Sequence, residues 1–341
     1  MQTVAIVGLG YFSQFHLNAW DAHPDIRIAA VVDTDEALAQ KVAADYKTAA
    51  FSDLAEMLEA VDPDFLDLVV PPATHAPLIK SALKTGRTII CQKPFGTSLE
   101  DAEAITAAAE AADTTLVIHE NFRFQPWHRA AKRFLDSGRM GQIYSARFNL
   151  RPGDGRGSDA YLARQPSFQK MPRFLVQETA VHQFDTFRFL FGPVTSVYAD
   201  LRQLNPVIAG EDAGVVILTH ANGTVSTFDG NRLADHIAKD KRRTMGELVI
   251  EGDGGTLSLN GDGELWFRAF RSNTVEPVQI TEPVDLSQFG GGCVRALIDH
   301  VVAATKTGAT PENTAREYLE TIRLVEAAYA SAQKGTRISL T

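Results

Sequence analysis

Apolar positions follow two different rhythms along this chain. In the first third they form short unbroken runs, at residues 4–7, 28–32, 65–70, 88–91 and 115–118. Such runs suit strands buried on both faces, as in a parallel sheet. Between them lie alanine-rich stretches of helical period at 35–45, 53–60, 76–84 and 99–112, with Thr74 and Ser98 placed to cap two of the helices. Strand and helix in strict alternation predict a doubly wound α/β sheet with helices on both faces.

From about residue 143 the pattern changes to alternation of apolar and polar residues. Residues 143–150 alternate, a loop rich in Gly, Pro and Arg covers 151–172, and a helix is expected at 173–191. Strands follow at 194–201, 213–221, 225–232, 247–251, 256–259 and 264–270, then two helices at 294–305 and 314–333. Asn222-Gly223 and Asn260-Gly261-Asp262-Gly263 are hairpin turns. The second pattern predicts an α+β domain with a large, mostly antiparallel sheet. The expected division is residues 1–122 and 123–341, and a chain of 341 residues is long for one core.

Composition narrows the function. A net charge of −9 argues against nucleic acid as a partner, since its phosphates would be repelled. Two cysteines, Cys91 and Cys293, are too few for a disulfide framework and suit a reducing compartment. No apolar stretch is long enough to span a membrane, and no basic-then-apolar leader precedes the first strand. The expected location is the cytoplasm.

The strongest local signal is at the start. The strand at 4–7 breaks into Gly8-Leu9-Gly10, a helix follows, and Asp33 closes the next apolar run. Gly8 lets the chain turn sharply. Gly10 lets a pyrophosphate approach the backbone, and the helix N-terminus faces it. Asp33 would accept hydrogen bonds from the adenosine ribose hydroxyls; its charge favours NAD over the 2′-phosphate of NADP. Ser13 stands where the third glycine of this fingerprint is expected.

Three further places carry candidate chemistry. Gln92-Lys93-Pro94 ends the fourth strand, at the sheet edge where ligands of open α/β sheets gather. Glu178, His182 and Asp185 fall on one face of the expected helix, either as an oriented proton acceptor or as a surface ion pair. The segment His119-Glu120-Asn121-Phe122-Arg123-Phe124 follows the fifth strand, and either contacts nicotinamide or substrate or lines the domain junction. A catalytic metal is not expected, because Glu178 and His182 lack the second histidine of a zinc helix.

Taken together, Gly8-x-Gly10-x-x-Ser13-x-x-His16, Pro71-Pro72-Ala73-Thr74-His75, Gln92-Lys93-Pro94 and Glu178-x-x-x-His182-x-x-Asp185 resemble the glucose–fructose oxidoreductase / inositol dehydrogenase (Gfo/Idh/MocA) family over nearly the whole chain. The resemblance implies a Rossmann domain, a second domain whose open sheet often builds homodimers or homotetramers, and NAD(P)-dependent redox chemistry on sugars and polyols, with Asp33 selecting NAD. It places Lys93, His182 and Glu178 in the catalytic group. Gly8, Gly10, Tyr11, Phe12, Asp33, Pro71, His75, Gln92, Lys93 and Asn121 fall to the cofactor, and Lys93, Arg123, Arg164, Glu178, His182 and Asp185 to the substrate. Three positions depart from the family pattern: Gln92 replaces a glutamate, Glu178 an aspartate and Ala180 a glycine.

The loop from Arg151 through Arg164 to Arg173 most resembles the D-apiose dehydrogenase subgroup. The implied reaction is oxidation of an aldose at its anomeric carbon to a lactone. Alternatives are an inositol or other polyol dehydrogenase, an NAD-dependent glycosidase, and a sugar sensor that binds NAD without turnover.

Overall fold

The computed structural model describes residues 1–340. They divide into two compact units, Met1–Asn121 with Val294–Glu320, and Phe122–Cys293 with residues 321–340. The single boundary expected at 122/123 thus misses a return of the chain. The carbonyl of Asn313 accepts the Ile118 N–H at 2.8 Å, and its side-chain amide donates to the Glu120 carbonyl at 2.7 Å. The Tyr318 hydroxyl donates to the Glu120 carboxylate at 3.2 Å. An amphipathic pattern tells which face of a helix is apolar, but not which core receives it.

The first unit contains β1 (Gln2–Val7), α1 (Ser13–Asp21), β2 (Ile26–Val32), α2 (Glu36–Tyr46), β3 (Ala49–Phe51), α3 (Leu54–Ala60), β4 (Phe65–Leu68), α4 (His75–Ala82), β5 (Thr88–Gln92), α5 (Leu99–Ala111) and β6 (Thr115–His119). Its six strands are all parallel, in the order β3-β2-β1-β4-β5-β6. The order reverses between β1 and β4, which is the switch point where such sheets bind ligands. Val4, Ala5, Ile6, Phe65, Leu66, Leu68, Ile89 and Ile90 have no exposed surface. Each large apolar side chain so buried contributes about 1.5–3 kcal/mol, enough for this layer to fix the loops at its edge.

Ser98 caps α5 as expected, accepting the Asp101 N–H at 3.2 Å. Thr74 does not cap α4. A 3₁₀ turn at Pro72–Thr74 leads into that helix, and the Thr74 hydroxyl donates back to the Pro71 carbonyl at 2.8 Å. β3 has no counterpart among the expected elements, because Ala49-Ala50-Phe51 is too short to show a period.

The second unit begins with α6 (Pro126–Asp136), β7 (Ile143–Leu150), α7 (Val181–Phe191), β8 (Val194–Arg202), β9 (Ala213–His220) and β10 (Val225–Asn231). It continues with β11 (Gly246–Gly252), β12 (Gly255–Leu259), β13 (Leu265–Ala269) and β14 (Glu276–Val278). After α8 (Cys293–Thr307), the end of α9 (Ala315–Lys334) and β15 (Ile338–Ser339) complete it. Nine strands form one sheet, β14-β13-β12-β11-β7-β10-β9-β8-β15, antiparallel except for the pair β7–β10. Helix α6 and strands β14 and β15 were not expected. No helix among the described residues is long and apolar enough to cross a membrane.

Candidate active-site elements

The turn after β1 has the geometry a pyrophosphate requires. Gly8 sits at φ +89°, and a Cβ there would lie 2.4 Å from the Val69 carbonyl oxygen. Only glycine fits between the two strand ends. A Cβ at Gly10 would meet nothing within 4 Å, so the space above its backbone is open. Asp33 closes the loop from the end of β2: one carboxylate oxygen accepts the Leu9 N–H at 2.8 Å and the other the Asp35 N–H at 2.9 Å. The carboxylate expected to receive ribose hydroxyls therefore also shapes the glycine turn.

Ser13 is buried, and its hydroxyl donates to the Gly10 carbonyl at 2.6 Å, a stitch that a third glycine would lack. Phe12 rests edge-on against His16, while Tyr11 is exposed and its ring meets the edge of Phe15. These residues fit a dinucleotide: an open backbone shelf, a helix N-terminus and an acid at the neighbouring strand end.

Pro71 and His75 build the turn after β4. His75 is fully buried. Its Nε2–H donates to the Val70 carbonyl at 3.0 Å, and Nδ1 accepts the Gly96 N–H at 3.4 Å. Burial pulls its pKa below the usual histidine value. Both ring nitrogens thus serve the protein backbone, tying the β4–α4 turn to the loop after Lys93, and the ring has none left for a cofactor. Lys93 lies just past β5, half-buried, joined to Pro94 by a cis peptide bond. Asn121 is buried at the end of the stretch leading from β6.

In the second unit the expected helix at 173–191 is not α-helical throughout. Leu175–Ala180 is a π-helix that runs straight into α7. The i→i+5 bonding widens the turn that carries Glu178, so Glu178, His182 and Asp185 do not share one regular α-helical face. Glu211 anchors the start of the π-helix. Its carboxylate accepts the N–H groups of Phe174 and Val176 at 3.1 and 3.0 Å and the Tyr329 hydroxyl at 2.5 Å. Burial, and then the Glu211 charge, push the Tyr329 phenol well above its ordinary pKa.

His182 is 7% exposed and stacks on Phe122, with ring centroids 4.0 Å apart and planes within 6°. That contact fixes the plane of the imidazole. Arg123 and Asp185, expected at the substrate, pair with each other. Two bonds of 2.8 and 2.6 Å join them, and both are buried. Thr321 donates to the same carboxylate at 3.4 Å. The pair is an internal strut between the segment before α6 and the middle of α7.

Arg164 is exposed on the loop, with a guanidinium nitrogen 3.7 Å from the Asp154 carboxylate. Asp154 also accepts from the Tyr161 hydroxyl at 3.1 Å and faces the buried Arg232 at 3.3 Å. Arg232 lies over the ring of Phe174 and donates to Thr179, next to Glu178 in the π-helix. Sequence reading missed Arg232, Glu211 and the role of Phe122. An arginine at the end of an alternating strand was the available signal for Arg232, but its partners lie far away in the chain. Among the described residues no group of three His, Cys, Asp or Glu side chains is placed to hold a metal.

Residues 2–120 match the oxidoreductase family with NAD-binding Rossmann fold, and residues 128–258 match the GFO/IDH/MocA C-terminal domain. The chain is 34% identical to a D-apiose dehydrogenase of Paraburkholderia graminis, over 98% of this chain and 89% of that protein. It is 30% identical to a D-apiose dehydrogenase of Rhizobium rhizogenes, over 98% of this chain and 96% of that one. Among solved structures, an oxidoreductase from Agrobacterium radiobacter, determined with NAD+, L-tartaric acid and magnesium, superimposes with a TM-score of 0.89. It is 28% identical and the match covers 99% of this chain and 98% of that one. With the glycine turn, Asp33 and both domain matches in place, the chain belongs to the GFO/IDH/MocA family of NAD-dependent oxidoreductases.

Proposed function

We propose that this enzyme oxidises the anomeric carbinol of an aldose, D-apiose or a sugar of similar shape, to the lactone. The observation that carries the reading is the likeness to two D-apiose dehydrogenases across nearly the full length of all three chains. Bound NAD supplies the acceptor for the hydride that leaves the carbon. The protein supplies placement and electrostatics.

His182 takes the proton from the anomeric hydroxyl, with its ring plane held by Phe122. Glu178 orients that histidine and stabilises the imidazolium once the proton has moved. Lys93 steadies the alkoxide charge that develops on the substrate oxygen. Arg164 and its neighbour Asp154 are the proposed contacts for the remaining hydroxyls, since together they offer donors and acceptors on an exposed loop. Asp33 sets the preference for NAD.

Assembly as a homodimer or homotetramer belongs to the same proposal. Tyr198, Ile217, Thr227, Arg147, Val249, Ser258 and Trp266 are cross-strand neighbours on one face of the sheet, and none is buried. Light scattering measures the mass directly.

The test of the reaction is NADH formation by purified protein with NAD or NADP against aldoses, branched pentoses and cyclic polyols. A preference for one aldose with NAD supports the reading, and a preference for an inositol replaces it with a polyol dehydrogenase. Silence across the panel with NAD still bound overturns it. Lys93→Ala and His182→Ala are each expected to lower turnover about 100-fold or more while NAD still binds.

A further inference from the structure

Behind Lys93 lies a buried polar chain that the proposed chemistry does not use. Asp67 is the one acid in the apolar strand β4, and it has no exposed surface. A single carboxylate oxygen of Asp67 receives Nδ1 of His16 and the indole N–H of Trp20, each at 2.7 Å. His16 is also fully buried, and its Nε2 lies 2.8 Å from the side-chain nitrogen of Gln92.

The Gln92 amide can be oriented without ambiguity. Its oxygen accepts the backbone N–H of Lys93 at 3.0 Å, a bond only an acceptor can make. The amide nitrogen therefore points inward. It faces Nε2 of His16 and, at 3.4 Å, Nδ1 of His119, whose ring lies 4.1 Å from that of His16. An amide nitrogen only donates, so both histidines present lone pairs to it, and His16 carries its proton on Nδ1.

We infer that Gln92 is a positioning residue that fastens the Lys93 backbone to the buried Asp67–His16 couple and, being an amide, holds His16 in its neutral form. A glutamate at this position would change the inventory. Its inward oxygen would have to share a proton with Nε2 of His16, and because an imidazole is a stronger base than a carboxylate the favoured arrangement puts a second proton on His16, between two carboxylates. The titratable groups against this chain are Asp67 on β4, Cys91 on β5 and His119 on β6, while Lys93 meets it through its backbone N–H. Burial and the nearby Asp67 charge push the Cys91 thiol well above its ordinary pKa, so it brings no proton to the exchange.

The experiment compares wild type with Gln92→Glu and Gln92→Leu, using ¹⁵N-resolved histidine spectra of the protein without ligand, thermal unfolding, and the pH profile of NADH formation. In wild type at pH 7.5, His16 is expected to show one neutral form protonated at Nδ1. Gln92→Glu is expected to give a doubly protonated His16 under the same conditions, and a changed pH profile of kcat. Gln92→Leu should fold, lose the Nε2 hydrogen-bond shift of His16, and lower kcat more than it raises KM.

A His16 that is doubly protonated in wild type at pH 7.5, or carries its proton on Nε2, overturns the inference. So does a Gln92→Glu protein whose spectrum and pH profile match wild type. The statement about turnover rests on the dehydrogenase reading. The spectra do not, so failure of that reading leaves the histidine result standing.

Discussion

The glycine turn of the first unit and the π-to-α helix of the second both hold functional residues still, by opposite means. At Gly8 the constraint is the backbone itself: a positive φ and a carbonyl 2.4 Å from any added Cβ admit one residue type. Around His182 the constraint is a set of paired side chains drawn from distant parts of the chain. Arg123 meets Asp185, Glu211 meets Tyr329, and Arg232 meets Asp154 and Thr179. Backbone constraints fail locally when broken. Paired charges fail by leaving a buried partner short of its counter-charge.

The sharpest way to break the comparison is therefore in the second unit. Arg123→Ala removes two charge-assisted bonds from the fully buried Asp185, leaving it Thr321 at 3.4 Å and the Arg188 guanidinium at 3.9 Å, and is expected to cost about 3 kcal/mol in urea unfolding. Replacing both partners with apolar residues, Arg123→Met with Asp185→Leu, should recover more than half of that loss. If the single and double variants are equally unstable, the strut is not the source of the cost.

In the first unit Gly8→Ala combines a strained φ with overpacking, for an expected loss of about 3 kcal/mol and of NAD binding. Gly10→Ala is its counterpart. With open space above it, stability should change by less than about 0.5 kcal/mol, while the Kd for NAD rises about tenfold. Calorimetry on both variants separates the two glycines. Equal losses of stability would show that the turn does not distinguish them.

The same contrast explains what could be read before the structure. The alternation of strands and helices, the glycine turn and the position of Asp33 at the end of β2 depend on local chemistry that the residue types declare. The fates of Arg123, Asp185 and His75 were not legible, because each depends on a partner that the fold alone brings close. Polar residues beside a suspected site look available until a buried partner takes them. Asp67 was legible and went unread: an acid in an otherwise apolar strand must have buried partners, since a lone buried charge is costly. The π-helix left no trace in the pattern, because its widened turn is imposed at its entrance by Glu211.

The mildest test concerns pH. His128 lies on α6, fully buried, and its Nδ1–H donates at 2.8 Å to the carbonyl of Phe122, the residue on which His182 stacks. Burial lowers its pKa to about 4, against the pull of that hydrogen bond. In the unfolded chain the group titrates near 6.5, so between those values the unfolded state binds the extra proton. Stability is then whole above about pH 6.5 and declines as pH falls toward 4. At pH 5.5, one unit below the unfolded value, the loss is about 1.4 kcal/mol. His75 and His220 are shifted in the same direction by burial and add their own losses. Comparing wild type with His128→Gln, at pH 7.5 and 5.5, cancels those contributions, because glutamine can still donate to the carbonyl but does not titrate. The variant is expected to lose about 1 kcal/mol less than wild type over that interval. Equal losses would mean that His128 gains its proton without unfolding, through a local opening of α6 that also frees Phe122.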